Sequence, residues 1–392
     1  MSLLWSRRGL GDTLTELVPM RSVAQGTVTV TPDSALQASA VWACLMLRAN
    51  LISTLPLDAF RSVDRRQVEV PKTPFLLNPG GDQFGATDWL FSSQMDLDRI
   101  GNVFGLIRAF DAAGRPAVVE LVPFGDVTVK GKGAHITGYR VGSRNYTPDE
   151  VWHERQYTIP GVPLGLSPIG HAAMSIGSYL SAQRFALDWF SNGSVPSGRL
   201  KNTQKTITTD QALEIKDRFK AAVAGRDLFV HGADWEYSML QVPANESQFL
   251  ESMNFGVLDI ARFFGVPSDL IDAPAQSSAK ITYANITQRH LQLLVVNLGP
   301  VIVRREAALS ATLPQPRFVK FNTDAFLRMD TQSREVMFGQ MIRDRMLAPS
   351  EARAMDNRLP FTDAQLAEFD RLFSSGAPQA QTPPAAKDGV PA

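Results

Sequence analysis

Apolar positions recur at helical spacing between residues 38 and 57: Val41, Cys44, Leu45, Ile52 and Leu55 fall on one face of a helix, with Arg48 and Asn50 read as lying off that stripe. Thr31, Pro32, Asp33 and Ser34 offer capping residue types ahead of it, and Pro56 closes it. Residues 1–30 show no clear period. Over 57–157 the pattern shortens to strand-like runs, GLIRAF, AVVELVP, DVTVK and HITGYRV, punctuated by Gly114, Pro116, Gly125, Gly131, Gly133 and Gly142. One helix, over 87–99, interrupts them. Sheets and helices packed as layers make the first 160 or so residues an α+β unit.

The run 164–200 reads as a loop, a long helix and a Gly/Pro turn. Ser167 is placed to cap the helix and Pro168 suits its first position, where no amide donor is needed. Asn192 and Gly193 tolerate the left-handed backbone beyond its end, and Pro196 and Gly198 prevent continuation. Helices follow at 208–224, with Asp210 as cap, and at 245–264, ended by Gly265, Val266 and Pro267. They flank a two-strand candidate over 227–240, and 269–278 is a loop of Pro, Ala, Ser and Asp. The longest helix candidate, 279–313, would extend about 50 Å. Pro300 cannot donate to the Val296 carbonyl and Gly299 weakens the same turn, so a kink is expected there. A strand over 317–326 and helices at 331–346, 349–357 and 362–373 complete the pattern. The tail from 374 is too poor in large apolar residues to stay ordered.

A chain of 392 residues with 44% hydrophobic content holds more than one substructure and ample core material. Lys plus Arg number 39 and Asp plus Glu 39, so no net positive field exists to grip phosphates tightly. The single cysteine, Cys44, permits no intrachain disulfide and reads as a small core residue in a reducing setting. The N-terminus lacks the order of charge, long apolar run and cleavage site of a secretory signal. The apolar run 291–303 is broken by Gln292, Asn297, Gly299 and Pro300 and is too short to span a bilayer, so no membrane partner is expected.

Catalytic chemistry finds no support in the spacings. The glycine-rich run 80–87 puts Ala86 where a phosphate-binding loop needs lysine. His153 and Glu154 have no second histidine at zincin spacing, and His135, His171, His231 and His290 are scattered. Around Ser167 a nucleophile elbow would need glycine where Ile169 stands. Asp269 with Asp272, or Asp324 with Asp330, are paired carboxylates without any other site feature. No catalytic residue, metal site or cofactor is expected.

Collinear segments carry a more specific signal. One is Gly161, Pro163, Leu164, Gly165, Ser167, Pro168 and Ile169, continued by Phe190, Asn192, Gly193, Pro196, Gly198 and Leu200. Others are Ser39, Ala40, Val41, Ala43, Cys44, Leu55, Pro56 and Leu57, and Ile260, Ala261, Phe264, Gly265, Val266, Pro267, Leu270 and Ile271. Thr282, Tyr283, Asn285, Gln288, Leu298 and Pro300, then Phe321, Asp324, Leu327, Arg328, Asp330 and Arg334, complete the series. Together they resemble the portal proteins of tailed bacteriophages, of the compact siphophage type that includes prophage and gene transfer agent versions. Val301 stands where that pattern often has an aromatic, and the short C-terminal region argues against a large crown.

The resemblance implies an α+β portal fold: a ring-forming oligomer, usually of twelve copies, at one capsid vertex. DNA would enter through it, pumped by terminase, and leave through it later. The implied organisation is an N-terminal arm (1–30), a wing (31–205), stem helices (206–225 and 244–265), a β clip (226–243), a tunnel loop (266–280), a kinked tunnel helix (281–313), a return strand (314–330), a helical C-terminal region (331–373) and a disordered tail (374–392). Gln276, Ser277, Ser278 and Lys280 would touch the phosphate backbone of passing duplex DNA weakly and without base readout. Arg226, Asp227, Asp234 and Glu236 would face the motor. The implied partners are further copies of the chain, terminase, the major capsid protein and a head–tail adaptor, in a virion assembled in the host cytoplasm. Two other readings remain: another connector ring of the capsid neck, and a cytoplasmic α+β hydrolase using His153 with Glu154 or Asp149.

Overall fold

A computed structural model describes residues 14–17, 23–25, 28–82, 84–132, 135–191, 198–202, 208–225, 235–239, 246–271, 289, 291–323, 331–356 and 358–374. The chain divides into two compact units, Met1–Ala325 and Phe326–Ala392.

In the first unit the expected capping cluster closes a short turn, Ser34–Gln37, in which the Thr31 amide donates to Ser34 Oγ and the Ser34 amide to Thr31 Oγ1. Helix α1 (Ser39–Ser53) follows and buries Val41, Cys44, Leu45 and Ile52 as its spacing predicts. Arg48 is a correction. It lies on the same stripe, four residues from Cys44 and from Ile52, and is buried. A short turn, α2 (Pro74–Leu77), precedes α3 (Ala86–Ile100), which packs across α1. Trp89 holds α3 in place: its indole lies edge-on to Phe75 and against Trp152, and its Nε1–H donates to the Val119 carbonyl at 2.8 Å.

The strand runs form small antiparallel sheets, in keeping with the α+β expectation. Residues before 31, which show no period in the sequence, contribute β1 (Leu14–Leu17), β2 (Val23–Gln25) and β3 (Val28–Val30). Segments of three or four residues are too short for alternation to be legible. After α1, β4 (Leu57–Val63) and β5 (Arg66–Glu69) make a hairpin. Then come β6 (Asn102–Phe110), β7 (Pro116–Val122), β8 (Val127–Lys132), β9 (His135–Val141), β10 (Arg144–Tyr146) and β11 (Val151–Arg155). The sheet orders are β11-β6-β7 and β1-β8-β9-β10, so the N-terminal arm joins an edge of the second sheet. Phe104, Leu106, Val127, Val129, Tyr139 and Val151 pack into one core where these two sheets meet.

Ser167 caps the next helix as expected, accepting from the Gly170 amide at 3.0 Å, and its hydroxyl donates to the Arg99 carbonyl at 2.7 Å. The single long helix expected here is divided at Ala172 into α4 (Pro168–His171) and α5 (Ala173–Ser191). The strand β12 (Gly198–Asn202) comes next, then α6 (Thr209–Gly225), where Asp210 sits inside the first turn and Gln211 Oε1 accepts from the Thr208 amide. Asp210 is therefore not the cap. β13 (Trp235–Met239), the second half of the two-strand candidate over 227–240, pairs antiparallel with β12. The intervening residues 226–234 lie outside the described residues.

Helix α7 (Glu246–Phe264) packs on α5 and on α1. Ser175 of α5 donates to Asp259 of α7, and a Cβ on Gly256 would lie 3.3 Å from the Tyr179 ring, so the two helices approach closely. Ile176, Ile260 and Phe264 join Val41, Cys44 and Leu45 in a second core. Burial pushes the Cys44 thiol up to about 12, as suits an inert core residue. The chain returns through α8 (Gly299–Ser310) and β14 (Arg317–Phe321), and β14 pairs with β4 to give the order β14-β4-β5.

The second unit contains α9 (Thr331–Arg343), α10 (Pro349–Met355) and α11 (Asp363–Ser374), close to the expected helices. Arg353 lies 3.8 Å from the centroid of the Phe361 ring, which itself meets Phe369 edge-on. The expected disordered tail lies, beyond Ser374, outside the described residues.

Candidate functional site

The segment between α7 and α8 is the one for which a DNA-facing role is expected, and both of its ends are built in detail. Gly265 ends α7 at φ 61°, a left-handed conformation suited to glycine, and its carbonyl accepts from Asn297 Nδ2 at 2.7 Å. The chain turns through Val266 and Pro267 into Ser268–Ile271. On the return side Arg289 Nη1 lies 2.6 Å from Asp269 Oδ2. Leu293–Leu298 then form a π-helical turn directly before Gly299 and Pro300. The irregularity expected at Pro300 thus takes the form of a widened turn, which accommodates a residue with no amide to donate. Gly299 fits because a Cβ there would come within 3.3 Å of the Leu294 carbonyl oxygen.

Two buried arginines weld these ends to α3. Arg48 is bidentate on Asp98, Nε to Oδ2 at 3.1 Å and Nη2 to Oδ1 at 2.8 Å, while its Nη1 donates to the Phe264 carbonyl at 2.9 Å. Gln94 adds a third donor to Asp98 at 3.0 Å. On α8, Arg305 donates to Ser93 Oγ at 2.7 Å and to Glu154 Oε2 at 2.8 Å. A buried charge persists only when paired and hydrogen-bonded, and here every anchoring group on α3, Ser93, Gln94 and Asp98, is buried. Glu154 is only half satisfied, since its Oε1 has no partner among the described residues; burial, opposed by the Arg305 charge, pushes its carboxyl up to about 7.

His153 and Glu154 are consecutive on β11 and therefore point to opposite faces of the sheet. Asn102 Nδ2 donates to the Ile100 and Gly165 carbonyls, which leaves Oδ1 as acceptor. His153 Nε2 accordingly carries the proton and donates to Asn102 Oδ1 at 3.2 Å, and Nδ1 accepts from the Tyr139 hydroxyl at 3.0 Å. The ring stacks on Phe104. Burial first, and Arg155 second, hold its pKa down at about 3. Both nitrogens are engaged, neither by Glu154 nor by Asp149, so the hydrolase pairing is not assembled.

Of the expected DNA-contacting residues, Gln276, Ser277, Ser278 and Lys280 lie outside the described residues, as do Arg226, Asp227 and Asp234. Glu236 is exposed on β13, directly opposite Lys201 of β12. The residues that fix the loop's ends, Arg48, Ser93, Asn297 and Arg305, do not figure among the expected site residues. The available signal was position: Arg305 falls at helical spacing from the buried Val301, Ile302 and Leu309, as Arg48 does on α1. Among the described residues no cluster of His, Cys, Asp and Glu has the arrangement of a metal site, and no helix is long and apolar enough to cross a membrane.

The family model for phage portal proteins matches residues 39–357, from α1 to the end of α10. The chain belongs to that family. It is 29% identical over 368 residues to a probable portal protein of Streptomyces phage phiC31, an alignment covering 87% of this chain and 79% of that one. Portal architecture is also seen in the fold: an HK97 family phage portal protein from Corynebacterium diphtheriae superposes with a TM-score of 0.61 at 20% identity, over 77% of this chain and 99% of that one. A chain from the neck of a native gene transfer agent particle, computed with C12 symmetry, gives 0.56 at 19% identity, over 87% and 96% respectively.

Proposed function

We propose that this portal-family chain forms a closed ring at one vertex of a capsid, through which DNA is packaged by terminase and later released, and on which a head–tail adaptor docks. The observation that carries the reading is the family match running from α1 to α10, which takes in β4 to β14, the α5–α7 pair and the anchored loop ends together. The C12 symmetry of the gene transfer agent neck supports twelve copies. In this reading the ring acts in the virion and its work is mechanical and structural, with no catalytic step assigned to it.

The packing of α7 on α5 supports a division of the chain that differs from the one the resemblance implies. In this reading α5 and α7 form the stem, and the block β12-α6-β13 that lies between them in sequence forms the clip facing the motor, with the exposed Glu236 on β13. The segment leaving α7 at Gly265 and returning at Arg289 is the tunnel loop, whose Gln276, Ser277, Ser278 and Lys280 meet DNA phosphates loosely enough to let them pass. The sheets and α1–α4 form the wing, with β14 returning the chain to it.

Native mass measurement with imaging of the purified chain tests this. Twelve copies of the 43.0 kDa chain amount to about 516 kDa, and head-to-tail contacts that close give rings with an axial hole. Rings too narrow for a DNA duplex would overturn the reading.

A further inference from the structure

The β14-β4-β5 sheet carries a group of arginines that have no neutralising partner among the described residues. In its register Val319 lies opposite Ala59, Arg317 opposite Arg61, Arg61 opposite Val68, and Val63 opposite Arg66. Side chains two residues apart share a face. The face that buries Ala59 and Val319 therefore runs outward into Arg61, Arg317 and Arg66, with the exposed Val63 and Val68 between them. Like charges set directly opposite each other in a ladder are destabilising, which makes the Arg61–Arg317 pair a cost within the isolated chain.

Nearby acids among the described residues do not relieve it. Asp58 is 3.1 Å from Lys72, Glu306 is 2.8 Å from Lys320, and Glu69 lies opposite Phe60, on the other face. Asp64 shares the tight turn with Arg65, both at positive φ. The side chains of Arg61, Arg66 and Arg317 have no ionic or hydrogen-bonding partner among the described residues. In a chain whose formal net charge is zero, this is a local concentration of cationic, fork-shaped donors.

We propose that this sheet face binds phosphate groups of duplex DNA, without base readout, at a site distinct from the tunnel loop. Guanidinium forks suit phosphate oxygens bidentately, and a bridging phosphate turns the Arg61–Arg317 repulsion into two attractions. The apolar part of the face is two valines, far less than the roughly 800 Å² per partner of a stable protein interface, which favours a polyanion over a folded partner. The proposal rests on the portal reading only in taking DNA as the polyanion at hand.

The test is binding of the full-length protein to a short random-sequence duplex across a salt series. The variants are the triple Arg61→Gln, Arg66→Gln, Arg317→Gln and the charge-keeping triple Arg61→Lys, Arg66→Lys, Arg317→Lys. Each phosphate contact contributes about 0.9 to the slope of log affinity against log salt, so the Gln triple is expected to lower that slope by about 2 to 3 and the Lys triple to keep most of it. An unchanged slope in the Gln triple, or no binding by the wild type, overturns the proposal. So does tighter binding to polyglutamate than to DNA, which would assign the face to an acidic protein segment. Native mass on the same samples separates this from the portal reading: a slope that falls in a protein forming no rings leaves the phosphate site standing and removes the ring.

Discussion

Arg48 Nη1 donates to the carbonyl oxygen of Phe264, tying the middle of α1 to the last residue of α7 across 216 positions of sequence. The same guanidinium is neutralised by Asp98, so three helices meet on one side chain. Removing one partner of a buried pair leaves the other charged and dry, at a cost of about 3–5 kcal/mol. Arg48→Met and Asp98→Leu are each expected to lower the urea-unfolding free energy by that amount. The double variant should lose markedly less than the sum, and strict additivity would refute the coupling.

Gly165, inside the signature loop, is fixed by contact. A Cβ there would sit 2.1 Å from the Gly101 carbonyl oxygen and 2.3 Å from that of Gln156. Backbone cannot step aside as a flexible side chain can, so Gly165→Ala is expected to cost at least ~3 kcal/mol and to depress the yield of soluble protein. Gly125, with nothing within 4 Å of its Cβ direction, is the control and should be near neutral as Gly125→Ala. Equal melting temperatures for the two variants would contradict the packing.

Ser167→Ala removes both a helix cap and the hydroxyl that donates to the Arg99 carbonyl. The expected loss is about 1–2 kcal/mol, read from thermal or urea unfolding. Ser167→Thr should recover part of it. A neutral Ser167→Ala would mean that water replaces both bonds.

His153 and Glu154 are expected to give opposite pH dependences. His153 titrates near 3 when folded against about 6.5 when unfolded, so the unfolded chain takes up the proton first and stability is lost as pH falls from about 6.5 toward 3. Glu154 titrates near 7 when folded against about 4.5 when unfolded, so stability is lost as pH rises from about 4.5 through 7. Between about 4.5 and 6.5 the two slopes oppose each other. The difference between wild type and His153→Gln should therefore change by about 1.4 kcal/mol per pH unit across that window, in the direction of wild type gaining relative stability with rising pH. A difference independent of pH would mean that His153 titrates alike in the folded and unfolded chains.

Much of this architecture was legible because its elements are long. α1, α3 and α7 each bury a stripe of helical period, and Ser167 with Pro168, or Gly265 before Pro267, mark ends by local chemistry that acts within a few residues. What was not legible depends on partners far away in sequence. β12 and β13 pair across α6, a relation that no local pattern encodes, and β1 is a four-residue strand given meaning only by β8. Arg48 read as a polar interruption because its charge was weighed without the carboxylate that meets it. The family resemblance was clearest where glycine and proline govern backbone geometry, as at Gly161 to Pro168.

Ser93, Gln94 and Asp98 occupy little more than one turn of α3, yet through Arg48 and Arg305 they hold the two ends of everything between residues 265 and 304. Loads reaching Phe264 on one side and Arg305 on the other therefore meet in one rod, itself clamped by Trp89 against Phe75 and Trp152. In the proposed ring, a pull on the tunnel segment by sliding DNA would reach α3 from both ends at these desolvated polar groups.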